Sequence, residues 1–401
     1  MNPQAATLWR HPQWTLAALL AGLGSLGPFS IDTFLPAFSG IAQTLQATPA
    51  QMQQTLSAYL FGFALMNLFH GAISDSFGRR PVVLTGLVLF TLASVGCAMS
   101  ESIGALVAWR AVQGMTAGAG SVVSRAIVRD MYPPEDAQRV MAMVTIFFGL
   151  APAVAPLLGG ILYVHLGWHS IFWLLVGIGV TLFLLNARLL PETLHLDHRQ
   201  PFALTPLLRG YRQLLGNPRF LALVVASGLP FNGSFLYVLA SPQWLGTHLQ
   251  LAPTQFFWFF MLAIGGIMAG AWLSGRMAGR LPPRRQIRLG FTIMVAAALI
   301  NVLLNALFAP HVAWAMWPVA AYALGWALIT PVITLMVLDV QPDRRGMASS
   351  LQYGVASAAN GLVAGVVVPL VMHSPLALAL TSLAFVSVGL VAWRWARRLG
   401  R

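Results

Sequence analysis

Lysine is missing from this sequence altogether: all 23 cationic side chains among its 401 residues are arginines. Guanidinium groups stay charged at any physiological pH, so every cationic strip is permanently charged. Cysteine is reduced to Cys97, which excludes an intrachain disulfide or a cysteine metal cluster and leaves helix packing as its expected role. The nine histidines are scattered, and none stands with a glutamate in a metalloprotease arrangement. No nucleophile–base pair or metal constellation appears, so neither an enzyme nor a metal or organic cofactor is expected. Charge is scarce, at 8% of residues, whereas 58% are hydrophobic and mean hydropathy is +0.74. That composition lies outside the range of soluble domains and points to a chain that crosses a membrane many times. The net charge of +13 does not imply nucleic acid, because the arginines lie in short strips between apolar runs and not on one soluble face.

A span needs about 20 apolar residues. Twelve such runs are predicted, near Trp14–Leu35, Gln51–Ile73, Pro81–Met99, Ile103–Val123, Val140–Val164, Ser170–Leu190, Phe220–Ala240, Thr254–Ser274, Gln286–Phe308, Trp314–Leu338, Ala348–Met372 and Leu376–Trp395. Arg10 and His11 precede the first, which is far longer than a signal-peptide core and has no small-residue cleavage site, so it is kept as a span. Short arginine-rich loops stay in the cytoplasm. Arg79 and Arg80 follow the second span; Arg125, Arg129 and Arg139 surround the loop after the fourth. Others follow the sixth and eighth spans, Arg344 and Arg345 follow the tenth, and Arg401 closes the chain. Every arginine but Arg110 thus falls on one side, and the opposite loops carry a single charge, Glu101. Both termini are therefore predicted to be cytoplasmic. Pro191 to Pro218, the longest polar stretch, is punctuated by Pro191, Pro201, Pro206 and Pro218. It separates two bundles, residues 1–190 and 219–401, with 191–218 as a cytoplasmic linker. The halves echo one another: Pro28-Phe29 returns as Pro230-Phe231, Gly78-Arg79 as Gly279-Arg280, and Asp130 as Asp339. A six-span repeat with proline-broken helices at matching positions is one way secondary transporters are built.

Two ionisable residues remain at membrane depth, Asp32 and Arg110. Arg110 stands nine residues beyond Glu101, about 13 Å from the outer surface at the helical rise. Asp32 follows the Gly27-Pro28 break, so both fall in the outer half of the bilayer, where they are expected to meet or to face one water-filled cavity. Burial favours a protonated carboxyl and a neighbouring guanidinium favours the carboxylate. Asp32 is accordingly a candidate proton carrier, tuned by Arg110 as a fixed charge.

Gly71 to Pro81 reads GlyAlaIleSerAspSerPheGlyArgArgPro. Its Gly71, Asp75, Gly78, Arg79 and Arg80 resemble the signature of the major facilitator superfamily. The resemblance implies a cytoplasmic latch, with Asp75 holding Arg79, while Gly71 is expected to admit a neighbouring helix. In the second half Arg276 stands at the place of Asp75. Arg110, Gln113, Gly114 and Gly118 resemble the second signature of that superfamily. Ala151, Ala155, Pro156, Gly159 and Gly160 resemble its antiporter signature, with alanine at two positions usually glycine. Pro152 and Pro156, one turn apart, are expected to bend the helix, and with Gly159 and Gly160 they form a candidate hinge. SerIleAspThrPheLeuPro at Ser30–Pro36, IleValArgAspMetTyrPro at Ile127–Pro133 and ProGluThr at Pro191–Thr193 are similar to the bicyclomycin/chloramphenicol-resistance branch of drug–proton antiporters.

In the second half, Asn232, Tyr237, Asn301, Asn305, Gln352, Tyr353 and Asn360 are candidate cavity groups, although such groups also bond helix to helix. Gly266-x-x-x-Gly270 and Gly361-x-x-x-Gly365 favour close helix contact. The expected protein is an all-α membrane protein of the major-facilitator type, with twelve helices in two pseudo-symmetric six-helix bundles. It is expected to act as a monomer in a bacterial inner membrane. There it would use the proton gradient to export small lipophilic drugs or metabolites by alternating access. Import or uniport of a native metabolite is the alternative in the same fold, and a channel or membrane sensor the alternative from another class.

Overall fold

The computed structural model describes residues 9, 12–132, 134–199, 202–341 and 345–399. Arg10, His11, Pro133, Pro201, Arg344 and Arg401 lie outside the described residues, as do the side chains of Arg139 and Arg345. Two compact units emerge, Met1–Ala203 and Leu204–Arg401.

The first unit contains α1 (Gln13–Asp32), a 3-10 turn at Leu35–Ala37 leading into α2 (Phe38–Thr44), and α3 (Pro49–Phe77). It continues with α4 (Arg79–Ala98), α5 (Ile103–Met131), α6 (Pro134–Leu166) and α7 (His169–Leu189). Helix starts follow local chemistry. Thr48 and Gln51 form a capping box ahead of α3, with Pro49 at its first position. Ser102 caps α5 by accepting from the Ala105 N–H. Gly78, at φ +100°, supplies the left-handed corner that breaks α3 from α4.

The second unit opens with α8 (Leu204–Leu215), where the sequence pattern suggested linker. It is an amphipathic helix that packs against α9 and α14 through Gly210, Tyr211 and Leu214. Then come α9 (Pro218–Leu239), α10 (Phe257–Met277), α11 (Pro283–Leu307), α12 (Val312–Ala315) and α13 (Trp317–Leu338). α14 (Arg345–Leu362) runs through a π turn at Val363–Val367 into α15 (Val368–Val371), and α16 (Pro375–Leu399) ends the fold.

Ten helical segments among the described residues are long and apolar enough to cross a membrane. The other two predicted spans are helices as well. α5 is diluted by Arg110, Gln113 and its serines, and α6 (Pro134–Leu166) carries the fifth predicted span. No strand occurs among the described residues.

Within each unit the packing scheme repeats. In the first, α3 and α4 both lie on α5, α4 on α7, and α1 on α5 and α6. In the second, α10 and α11 both lie on α13, α11 on α16, and α9 on α13 and α14. The departure is α9, which also packs extensively on α16, whereas α1 barely touches α7. Glycine carries the closest approaches. A Cβ on Gly114 would overlap the Tyr59 carbonyl oxygen, and one on Gly62 the Ala111 carbonyl; Gly266 and Gly270 stand in the same relation to Ala320 and Leu324. Without water between helices, such packing replaces the hydrophobic effect as the force that joins them. Gly71 is not one of these contacts: a Cβ there would sit 3.9 Å from Val122, an ordinary separation. The expected close approach is made instead about two and a half turns earlier on the same helix, at Gly62.

Gly114→Val should therefore destabilise the protein by about 1–3 kcal/mol, because a backbone carbonyl cannot move aside. Gly177→Ala, where nothing lies within 4 Å, should be neutral or add up to about 1 kcal/mol; thermal unfolding in detergent measures both. Burial pushes the Tyr211 phenol from 10.0 up to about 12. The folded state then keeps the phenol neutral while the unfolded chain ionises. Its contribution to stability should be complete below pH 10 and disappear as pH rises through about 12. A tyrosinate absorbance titration of the native protein against Tyr211→Phe reads that step.

Candidate functional site

The site starts from a proline. Pro28 lacks an N–H, so the Gly24 carbonyl loses its helical donor, and Ser121 of α5 supplies a hydroxyl to it at 3.0 Å. One turn on, the Ser30 hydroxyl and the Tyr59 hydroxyl share a 2.8 Å hydrogen bond, and the Tyr59 hydroxyl also donates to the Gly27 carbonyl at 3.1 Å. The break is thus tied to α3 and α5, and α1 ends at Asp32.

Arg110 is the largest fully buried side chain among the described residues. Its Nη1 donates to the Ser30 carbonyl at 3.2 Å and to Gln113 Oε1 at 2.6 Å. Its guanidinium carbon lies 4.7 Å from the Phe34 ring centre and 4.3 Å from that of Tyr59. Stacking of a desolvated guanidinium on aromatic faces contributes about 2 kcal/mol. Nε and Nη2 have no hydrogen-bond partner among the described residues. Gln113, itself fully buried, passes the constraint on by donating to Ser94 Oγ at 2.8 Å.

Asp32 is 5% exposed and makes no hydrogen bond or ion pair among the described residues. Its carboxyl and the Arg110 guanidinium both act electrostatically on Tyr59, but the two do not touch. The expected meeting of acid and base is a shared neighbourhood and not a salt bridge. The backbone around Asp32 is held from a third side, because a Cβ on Gly159 of α6 would overlap the Thr33 carbonyl. The α6 helix carrying Pro152, Pro156, Gly159 and Gly160 therefore rests directly on the Asp32 turn.

Further along α3 and α5, Asn67 and His70 are each 5% exposed, and both face Gly118. Asn67 Oδ1 and His70 Nδ1 have no partner among the described residues.

At the far end of α3, Arg79 is 4% exposed and bound three ways, to Asp75, to Ser74 Oγ at 2.7 Å and to Asp130 Oδ2 at 3.0 Å. Thr193 donates to the same Asp130 oxygen at 3.4 Å. Glu192 accepts the backbone N–H of Arg79 at 3.0 Å and of Arg80 at 3.2 Å, and pairs with Arg199 at 4.0 Å. A carboxylate from beyond α7 thus caps the N-terminus of α4, where helix dipole and free N–H groups favour an anion. Arg80 donates to the Ala187 carbonyl at 2.6 Å, closing the corner.

In the second unit the Asn301 amide donates to Tyr237 OH at 2.7 Å, and Asn305 donates to Asn301 Oδ1 at 2.9 Å. Gln352 donates to Ser227 Oγ at 3.4 Å, and Trp326 Nε1 to the Ser227 carbonyl at 3.1 Å. Asn232, fully buried, donates to the Gly228 carbonyl at 3.1 Å. Asn232 Oδ1, Gln352 Oε1 and Asn360 Oδ1 are buried without a hydrogen-bond partner among the described residues. Tyr353 is 45% exposed. Among the described residues no group of three or more His, Cys, Asp or Glu could hold a metal ion.

Residues 18–365 match the family model described as Major Facilitator Superfamily. The chain belongs to the major facilitator superfamily. The bicyclomycin resistance protein homolog of Haemophilus influenzae is 30% identical over 98% of this chain and 97% of its own length. Multidrug resistance protein D of Escherichia coli is 29% identical over 88% of this chain and 89% of that protein. These relatives put this facilitator in the bicyclomycin/chloramphenicol-resistance branch. Among solved structures, a D-xylose–proton symporter shares the fold at a TM-score of 0.72, with 14% identity over 95% of this chain and 97% of that one.

In this facilitator, then, the structure groups Asp32, Arg110 and Gln113 in one bundle interior and Gly78, Asp75, Arg79 and Arg80 at one corner. Tyr237, Asn301 and Asn305 form a hydrogen-bonded chain, apart from the Ser227–Gln352 contact, and Tyr353 is on an exposed face. Reading the sequence alone missed Tyr59, Phe34, Asn67 and His70. Tyr59, Gly62, Asn67 and His70 recur at helical spacing along one buried face of α3, a polar stripe visible in retrospect. It also missed the capping role of Glu192. Removing that cap by Glu192→Ala should cost about 1 kcal/mol locally and raise amide exchange of Arg79 and Arg80 roughly fivefold, read by hydrogen–deuterium exchange; unchanged exchange would show that the cap is idle.

Proposed function

We propose that this facilitator exports small lipophilic compounds in exchange for protons, by alternating access, with Asp32 as the proton carrier. It acts in a bacterial cytoplasmic membrane as a monomer with both termini inside. The observation that carries the reading is a fully buried Arg110 with only neutral partners, beside an unpartnered Asp32. With Asp32 ionised, the pair is neutral overall and tolerates an uncharged or singly cationic solute. With Asp32 protonated, the fixed guanidinium charge stands alone and disfavours a cation. A cationic solute and the proton thereby compete for one carboxyl, which is the requirement for their exchange. One proton moving down 100 mV supplies about 2.3 kcal/mol, enough for roughly a fifty-fold gradient of a neutral solute.

The names of the relatives, bicyclomycin and multidrug resistance, support drug-like cargo, and the low charge of the interior supports lipophilic molecules over multiply charged ones. The orientation rests on the arginine strips. Asp75, Arg79 and Asp130 serve as the cytoplasmic latch, with Gly71, Gly78 and Arg80 shaping its corner. Pro152, Pro156, Gly159 and Gly160 form the hinge helix whose movement shifts the Asp32 turn. Asn232 and Gln352, whose amide oxygens have no partner among the described residues, offer acceptors to a solute; Asn301 spends its amide on Tyr237 and its oxygen on Asn305 and keeps that region rigid. Tyr353 contributes aromatic surface.

Asp32→Asn should abolish proton-driven efflux and any resistance conferred on a sensitive host. Asp32→Glu should retain part of both, and Arg110→Ala should lose at least tenfold in efflux rate, as expected for loss of a buried fixed charge. Efflux from proteoliposomes with an imposed pH gradient measures this. Full activity of Asp32→Asn would remove the carboxyl from the mechanism.

A further inference from the structure

At the end of the first unit opposite Arg79, α4 and α5 diverge around a groove of about 660 Å³. Its walls are apolar and open to the surroundings: Leu92 is 57% exposed, Met99 68% and Trp109 40%. Its floor is Gly96, where a Cβ would overlap the Trp109 indole, so the ring lies against bare backbone. At the mouth stands Glu101, exposed, with no hydrogen bond or ion pair among the described residues. It is the one charge that the sequence places on that side of the membrane.

Dimensions and charge together select an occupant. From Leu89 to Met99 the α4 wall rises about 15 Å at 1.5 Å per residue, half of a hydrocarbon core about 30 Å thick. The groove is therefore one leaflet deep, with its carboxylate at headgroup level. An acyl chain satisfies the apolar walls, and a free carboxylate at the end of that chain prefers a cationic, hydrogen-bond-donating headgroup to an anionic one. We propose that this groove is a binding site for a phospholipid with a primary ammonium headgroup, its chain along Leu92, Gly96 and Trp109 and its ammonium on Glu101. The site backs onto functional structure: Ala93 and Trp109 line the groove, while their neighbours Ser94 and Arg110 belong to the buried hydrogen-bond chain through Gln113. The inference needs the membrane-spanning reading but not the proton role of Asp32, because binding is measured without a gradient.

The test uses the full-length protein, delipidated in mild detergent and mixed with equal amounts of phosphatidylethanolamine and phosphatidylglycerol of identical chains. Native mass spectrometry counts the lipid retained. Wild type should prefer phosphatidylethanolamine roughly fivefold, the range of one exposed ion pair. Glu101→Gln should erase that preference, and Leu92→Trp, which fills the groove from an exposed position, should reduce retention of both lipids. Phosphatidylcholine, cationic but without N–H donors, should be retained less than phosphatidylethanolamine. Equal retention of phosphatidylglycerol, an unchanged preference in Glu101→Gln, or unchanged retention in Leu92→Trp overturns the proposal. So does a single-chain alkylammonium that occupies the groove while phosphatidylethanolamine does not, which would make it an entry for lipophilic cations. Loss of efflux in Asp32→Asn bears on none of these outcomes.

Discussion

A guanidinium with no carboxylate in contact is the constraint around which the first unit is built. At the centre of a membrane helix such a charge costs about 3 kcal/mol on insertion scales. The structure offsets that cost with a carbonyl, an amide oxygen and two aromatic faces, contributed by α1, α3 and α5. Each contributor has a local cause. The Ser30 carbonyl is available because α1 ends at Asp32 and the Phe34 N–H turns to the Ile31 carbonyl. Tyr59 reaches the ring position because Gly114 lets α3 lie directly on α5. Replacing any one of these alters the field felt by Asp32 without touching it.

The repeat preserves packing and discards charge. Gly266 and Gly270 on α10 seat α13 as glycines seat α3 on α5, so the second unit has the same helix scheme. Its interior is nevertheless held by amides, phenols and one indole: Asn301 on Tyr237, Gln352 and Trp326 on Ser227. At the place of Asp75 stands Arg276, whose guanidinium lies 4.3 Å from the Trp272 ring centre. Neutral hydrogen bonds in an apolar medium add rigidity at modest free energy. Among the described residues, buried ionisable groups are thus concentrated in the first unit and neutral hydrogen-bonding groups in the second.

Long-range placement was legible where a single physical rule dominates. Apolar runs marked the helices, although α5 is not among the ten segments apolar enough by composition to cross a membrane, because Arg110, Gln113 and the serines needed inside the bundle dilute it. The stretch after Pro191 was read as linker, since its arginines and prolines mask the apolar face of α8 that Tyr211 and Leu214 present. Asp32 and Arg110 stood out as charges in lipid, but their lack of contact did not, for side-chain pairing depends on rotation about helix axes. Gly71 carried the motif while Gly62 and Gly114 made the contact, a distinction that only a neighbouring backbone can draw. Glu192 lies more than a hundred residues from the N–H groups it caps, a separation no helical period encodes.

In the proposed exchange, arginine in place of lysine would leave this site a single titrating group. A desolvated ammonium gives up its proton readily, so a buried lysine beside Asp32 would add a second titrating group, and its charge would vary with the very solvation changes that transport requires. A guanidinium holds its charge through those changes, and its planar face can stack on Phe34 and Tyr59 while its edge donates to Ser30 and Gln113. The proton equilibrium is thereby left to the carboxyl. Because Asp32 sits on a turn gripped by Arg110 through Ser30 and by Gly159 through Thr33, a displacement of either helix changes the distance between the fixed charge and the titrating one. On the proposed reading, coupling between conformation and protonation would need no separate sensor, since the same two contacts that position the turn also set its electrostatics.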